Sequence, residues 1–222
     1  MRRPTVLIFD VNETLSDMSP LAQRFEDVGA PGHLAALWFA GLLRDGFPLT
    51  VAGVGRPFAD IGAEVLRAAL HDERLTSSLD AAVEHIMSGF SQLDVHADVP
   101  EGIRALRRVG LRLVTLSNGS SAVAEGLLQR AGLQDHVERF LSVDAAGIWK
   151  PAPGSYAYAL RECRVTPVDA MLVAVHPWDT DGAARAGLRS AWVNRGGADY
   201  PGYFRSPDLK VASLVDLAER LA

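Results

Sequence analysis

A doubly wound parallel α/β sheet, interrupted by one inserted helical block, is the fold class this sequence predicts. Three observations carry it. Short apolar runs rich in β-branched and aromatic residues alternate with stretches of helical periodicity. Polar clusters follow such runs at Asp10, at Ser117-Asn118, at Lys150 and at His176 to Asp181. Between Ser16 and about Val95 no stretch reads firmly as a strand, although helical spacing recurs. The core is therefore read as a Rossmann-like α/β unit over residues 1–15 and 96–222, with a helical cap at 16–95. A chain of 222 residues suits one large domain carrying an insertion.

The elements follow in order. Val6-Leu7-Ile8-Phe9 is apolar throughout, the pattern of a strand buried on both faces. Asp10 ends it, and Asn12, Glu13 and Thr14 come at once. Ligands of open parallel sheets bind beyond the carboxyl ends of the strands, so Asp10 is placed at that crevice. The alternative is that Asp10 only caps a loop. Residues 19–29 suit a short helix ending near Gly29, and residues 33–45 a second, with Gly46 as its stop. Thr50 to Val54 is a weak strand candidate. Residues 57–70, opened by Pro57, and 79–90 are two further helices. Pro100 opens a helix to about Val109, closed by Gly110. Residues 111–116 form a core strand that ends in Ser117-Asn118-Gly119. A helix at 121–131, a short strand at 140–143, the Lys150 loop and a helix at 155–164 come next. Residues 170–175 are another buried strand, ending at His176. A short helix at 182–186, a strand at 190–194 and a closing helix at 214–221 complete the chain. The Gly- and Pro-containing loop at 196–207 belongs at the cap–core mouth or at a subunit contact. Right-handed crossovers bring the strand ends to one edge.

Composition narrows the function classes. Net charge is −5 with both signs interspersed, which argues against a nucleic-acid surface. No uninterrupted apolar run approaches the roughly 18 residues of a membrane span, and no basic start leads into a leader-like apolar stretch. A cytoplasmic enzyme acting on a small molecule is expected, without nucleic acid or membrane as partner. The single cysteine, Cys163, has no internal disulfide partner and reads as a small core residue.

Asp10-Val11-Asn12-Glu13-Thr14-Leu15, Ser117-Asn118-Gly119, Lys150-Pro151 and Asp179 occur in an order that resembles the haloacid dehalogenase superfamily. Within it the chain is most similar to the type II, L-2-haloacid dehalogenase branch, from residue 5 to about 195. The resemblance implies a nucleophilic Asp10, an orienting Thr14, a Lys150 that keeps Asp10 ionised and an Asp179 that assists the hydrolytic water. It places Ser117, Asn118 and Tyr156 near the substrate and implies a homodimer; the apolar helix at 33–45 could supply a contact. Each residue also has a plainer reading: Thr14 or Asp179 as a helix cap, Ser117-Asn118 as a turn, Tyr156 as a core residue and Lys150 as a solvated loop lysine.

A strand-end carboxylate can attack carbon and displace halide, or attack phosphorus. Two features favour carbon. Phosphatases of the superfamily usually carry a second aspartate two residues after the nucleophile, where this chain has Asn12, and an amide delivers no proton. They also carry paired late acids around Mg²⁺, whereas four residues before Asp179 stands Val175. No metal and no other cofactor is expected. The alternatives are a Mg²⁺-dependent phosphatase of a small ester, or a binding protein with a spent site.

Two departures bear on the substrate. The branch has a cap arginine directly after a Leu-Trp pair; here Leu37-Trp38 is followed by Phe39. It has Ser and Asn in the late motif where this chain has Ala174 and His176. Trp38, Phe39 and Trp178 are candidates for an apolar halide pocket. His176 is expected near Asp10, shaping the site, or else is a satisfied structural histidine.

Overall fold

The computed structural model describes residues 3–222. In chain order the elements are β1 (Val6–Phe9), α1 (Leu21–Asp27), α2 (Leu34–Val51), α3 (Phe58–Leu70), α4 (Leu79–Ser91), α5 (Val99–Arg108), β2 (Arg112–Ser117), α6 (Ser121–Arg130), β3 (Arg139–Ser142), α7 (Pro153–Cys163), β4 (Ala170–Ala174), α8 (Pro177–Arg185), β5 (Arg189–Val193), β6 (Leu209–Val211) and α9 (Leu214–Leu221). All six strands run parallel in the order β3-β2-β1-β4-β5-β6. This is the expected doubly wound sheet, and β1 is central in it.

Strand alternation divides the core in two. Val6, Ile8, Val114, Leu116, Leu172 and Ala174 face one side, against α7 and the helices α1–α4. Leu7, Phe9, Leu113, Met171, Val173 and Val193 face the other, against α5, α6 and α9. A fully buried strand packs both faces, which is why β1 is apolar at every position. Cys163 is buried at the end of α7, in the first of these cores.

The four helices α1–α4 occupy the stretch between β1 and α5. Their base is tied by an antiparallel bridge between Ser16 and Val95. The sequence expectation for α2 needs correction. The helix does not stop at Gly46 but runs to Val51, through Pro48 and into the weak strand candidate. Gly46 is needed for packing: a Cβ there would meet the Trp149 ring at 2.4 Å. At its full 18 residues, with mean hydropathy 1.2, α2 is long and apolar enough to cross a membrane by length and composition alone. It carries Arg44 and Asp45, and it buries Trp38, Phe39, Leu42 and Gly46. Two further differences concern the core. Helix α8 starts at Pro177, well before the expected 182, and the three-residue edge strand β6 has no counterpart in the sequence reading.

Candidate active site

The carboxyl ends of β1, β2 and β4 meet at one edge of the sheet. Asp10 follows the last residue of β1, and its backbone N–H donates to the Val173 carbonyl (3.0 Å). The turn after it is tight: the N–H groups of Leu15 and Ser16 both donate to the Val11 carbonyl (2.8 and 3.0 Å). No helix begins until Leu21, so Thr14 is not a helix cap. Its Oγ1 accepts from the Val175 N–H (3.1 Å), which directs its own proton to Asp10 Oδ2 (2.7 Å). Thr14 thus ties the end of β4 to the β1 loop through the carboxylate.

Lys150 reaches the same carboxylate from the loop before α7. Its Nζ donates to Asp10 Oδ1 (2.8 Å) and to Asp179 Oδ2 (2.6 Å). The Lys150 side chain is wholly buried, so the solvated-loop alternative fails. Asn118 explains its placement. Asn118 Oδ1 accepts from the Lys150 N–H (2.9 Å), and Asn118 Nδ2 donates to the Lys150 carbonyl (3.2 Å). The Asn118 amide is therefore spent on the Lys150 backbone and is not bonded to Asp10. Ser117 Oγ accepts from the Gly119 N–H (2.9 Å), a local turn. Asp179 lies in the first turn of α8 rather than at its cap; the cap position is His176. Asp179 is fully enclosed, with Oδ1 accepting from the Tyr156 hydroxyl (2.6 Å).

The electrostatics separate the two buried carboxyls. Burial pushes the Asp10 pKa up, but the Lys150 ammonium, the His176 charge and the bonds from Lys150 and Thr14 outweigh it. Asp10 is held below the ordinary carboxylate value. For Asp179 burial prevails with help from the Asp10 charge, against Lys150 and Tyr156, and its pKa is raised. Burial would lower the Lys150 pKa, yet the two aspartates raise it. Burial and the adjacent Asp179 lift the Tyr156 hydroxyl well above its ordinary value. A shared lysine between two carboxyls thus keeps Asp10 as the anion.

Around His176 the site is aromatic. Phe39 and Trp178 both meet the His176 ring edge-on, at 6.1 and 5.0 Å between centroids. Trp178 also packs on Phe47 at 5.1 Å. Trp38 does not join them. Its Nε1 donates to the Gly62 carbonyl (2.9 Å), and its ring is fully buried among Phe25, Phe39 and Phe90. With its N–H spent, it has no donor left to offer a halide. The position expected to line the pocket faces the helical interior instead.

Asp10 is only 5% exposed, so the crevice expected beyond β1 is roofed. Two cavities flank it. One, of 580 Å³, runs past Glu13, Phe39, Val175 and His96 to Trp192 and Arg195, at the mouth of the loop that begins at 196. The other, of 260 Å³, is bounded by Asn12, Ser117 and Gly119 and by Phe58 of α3 and Met87 and Phe90 of α4. Neither has Asp10 in its wall. Nothing in the sequence by itself marks Phe58, Phe90 or Glu13 as site residues. The first two have no local signal beyond helical spacing. Glu13 shows itself only through its positive φ of 60° and its carboxylate, 3.3 Å from His176 Nε2.

A protein-family model of haloacid dehalogenase-like hydrolases matches residues 4–187. The chain belongs to that family. Among curated proteins it is similar to an (S)-2-haloacid dehalogenase of Pseudomonas sp. (strain YL), 28% identical over 96% of this chain and 92% of the relative. It is also similar to haloacetate dehalogenase H-2 of Moraxella sp. (strain B), 26% identical over 95% of both chains. Among solved structures, a dehalogenase with an intermediate complex superposes with a TM-score of 0.92, at 27% identity, covering 100% of this chain and 99% of that one. Within the family, the similarity lies with the type II L-2-haloacid dehalogenase branch.

Proposed function

We propose that this protein is a hydrolase that removes halide from a small (S)-2-haloacid through an ester of Asp10. The observation that carries it is the Asp10 carboxylate itself: buried, held below its ordinary pKa, and fixed by Lys150 on one oxygen and Thr14 on the other. The names of the related proteins supply the substrate class. One carboxylate oxygen attacks the carbon that bears the halogen. The carbon–halogen bond breaks, and its electron pair leaves with the halide. No proton is needed by that leaving group, which suits an active-site loop carrying the amide Asn12. Water then attacks the Asp10 Cγ and releases a 2-hydroxy acid.

Lys150 keeps the nucleophile ionised, Asn118 holds the Lys150 backbone, and Asp179 with Tyr156 anchors the ammonium. Phe39 and Trp178 enclose the site on the His176 side. The site residues do not support the phosphatase alternative. The Lys150 ammonium fills the space between the two carboxyls, and among the described residues no cluster of three or more His, Cys, Asp or Glu is disposed to hold an ion. A homodimer through the outer face of α2, where Leu37 is exposed, is proposed alongside.

The test is chloride release from the two enantiomers of 2-chloropropionate, with a chelator present. The reading expects release from the (S) form, abolished by Asp10→Asn. Mg²⁺-dependent hydrolysis of an aryl phosphate, without chloride release, would overturn it.

A further inference from the structure

His176 stands at the end of β4, at the sheet edge that also carries Asp10, and is buried. Its ring is braced edge-on by Phe39 and Trp178. Nε2 faces Glu13 Oε2 at 3.3 Å, and Nδ1 makes no hydrogen bond to the described residues. Glu13 is held for this contact. Its φ of 60° is uphill for a residue with a Cβ. The conformation is secured by its N–H donating to Ser16 Oγ (3.2 Å) and by His96 Nε2 on its carbonyl (2.9 Å). The Glu13 side chain is 46% exposed and lines the 580 Å³ cavity.

Asp179 is differently placed. It has no exposed surface, and its two oxygens are taken by Lys150 and Tyr156. Accepting a proton from water would cost it one of those bonds. The imidazole has a free nitrogen, an orienting carboxylate and a route to solvent, which are the marks of a general base.

We infer that His176, oriented by Glu13, is the base that activates water for hydrolysis of the Asp10 ester. This rests on the ester reading above. The imidazole takes one proton from water as its oxygen bonds to the Asp10 Cγ. The tetrahedral adduct collapses, the bond from Cγ to the product oxygen breaks, and the imidazolium returns its proton to the departing alkoxide. The proton left on the Asp10 carboxyl passes through the imidazole to Glu13 and out to the cavity. The charged groups around the ring are Glu13 and Asp10 on the β1 loop, Lys150 beyond Trp178, and His96 behind Glu13; α2 contributes Phe39.

The experiment mixes wild type, His176→Asn and Glu13→Gln with (S)-2-chloropropionate. Chloride release and the mass of the intact protein are followed through the first turnover. His176→Asn should still release its first equivalent of chloride and then accumulate the ester, with ester decay slowed far more than chloride release. That decay should be slowed by about 10²–10⁴-fold and partly restored by added imidazole. In Glu13→Gln ester decay should also slow after an intact burst of chloride, because the imidazole loses the carboxylate that orients it and takes its proton; this holds even if the histidine variant fails to fold. Ester decay in His176→Asn at the wild-type rate would overturn the inference. So would ester decay at the wild-type rate in Glu13→Gln. Wild type that releases chloride with no ester at any time would instead overturn the ester reading itself.

Discussion

The two walls of the site are built from opposite materials. On the sheet side, Asp10, Thr14, Asn118, Lys150, Tyr156 and Asp179 are buried polar groups, and each has a named partner within 3.2 Å. On the helical side, Phe39, Phe58 and Phe90 offer rings, and the one indole N–H, on Trp38, is spent inside the helical layer. A parallel sheet delivers strand ends to one edge with little freedom, so charges can be set there to a fraction of an ångström. Packed helices offer shape and exclusion of water. The contrast assigns bond-making to the sheet wall and substrate choice to the helical wall.

Substitutions on the sheet wall should act on kcat, and the largest effect tests the assignment first. Asp10→Asn should lower kcat by about 10⁴-fold or more, read as halide release, with the fold retained. Lys150→Ala should be nearly as damaging and also destabilising. It leaves two enclosed carboxyls without their cation, a loss of about 3–5 kcal/mol in urea unfolding. Tyr156→Phe removes one bond to Asp179, and a drop of about 1–2 kcal/mol in stability is expected, with kcat changed far less than by Lys150→Ala.

On the helical wall the pattern should invert. Phe39→Leu, facing His176, should change KM and the preference among 2-haloacids by about tenfold while kcat moves little, since apolar pocket changes are worth about 1–3 kcal/mol. Trp38→Phe, one residue earlier, should leave both constants alone. It should cost only about 1 kcal/mol of stability for the lost bond to Gly62. A large kcat effect at Trp38 would break the division between the walls.

Acid and base titrations sharpen it further. Asp10 has a folded pKa below its ordinary 3.8, so its contribution to stability is present above that value. It is lost as pH falls through the lower folded pKa. Lys150 has a folded pKa above its ordinary 10.5; its contribution holds below 10.5 and is lost as pH rises through the raised value. Asp179, with its pKa raised, opposes folding when ionised and gains as it is protonated. Urea unfolding of wild type against Asp10→Asn should therefore give a difference that is flat across neutral pH and narrows only on the acid side of 3.8.

The sheet wall is far more legible in the sequence than the helical wall. Val6–Phe9 declares a doubly buried strand by composition alone, and Asp10 follows it at the carboxyl edge, where open parallel sheets bind their ligands. Lys150 and Asp179 are visible through their motif order, although their shared geometry is not. The rest depends on contacts between distant residues. Gly46 looks like a stop until Trp149 is seen against it. Trp38 looks like a pocket residue until its indole finds Gly62, 24 positions away. Asn118 looks like a substrate donor, whereas both ends of its amide hold Lys150. The start of α8 is hidden because its first turn is made of site residues rather than apolar ones. Glu13 carries no signal in its type, only in a backbone angle that sequence does not display.

The central claim is tested most directly by a single turnover in H₂¹⁸O, with enzyme in excess over (S)-2-chloropropionate. The account predicts unlabelled 2-hydroxypropionate and one ¹⁸O in the peptide that contains Asp10. Label in the hydroxy acid, with none in Asp10, would contradict it.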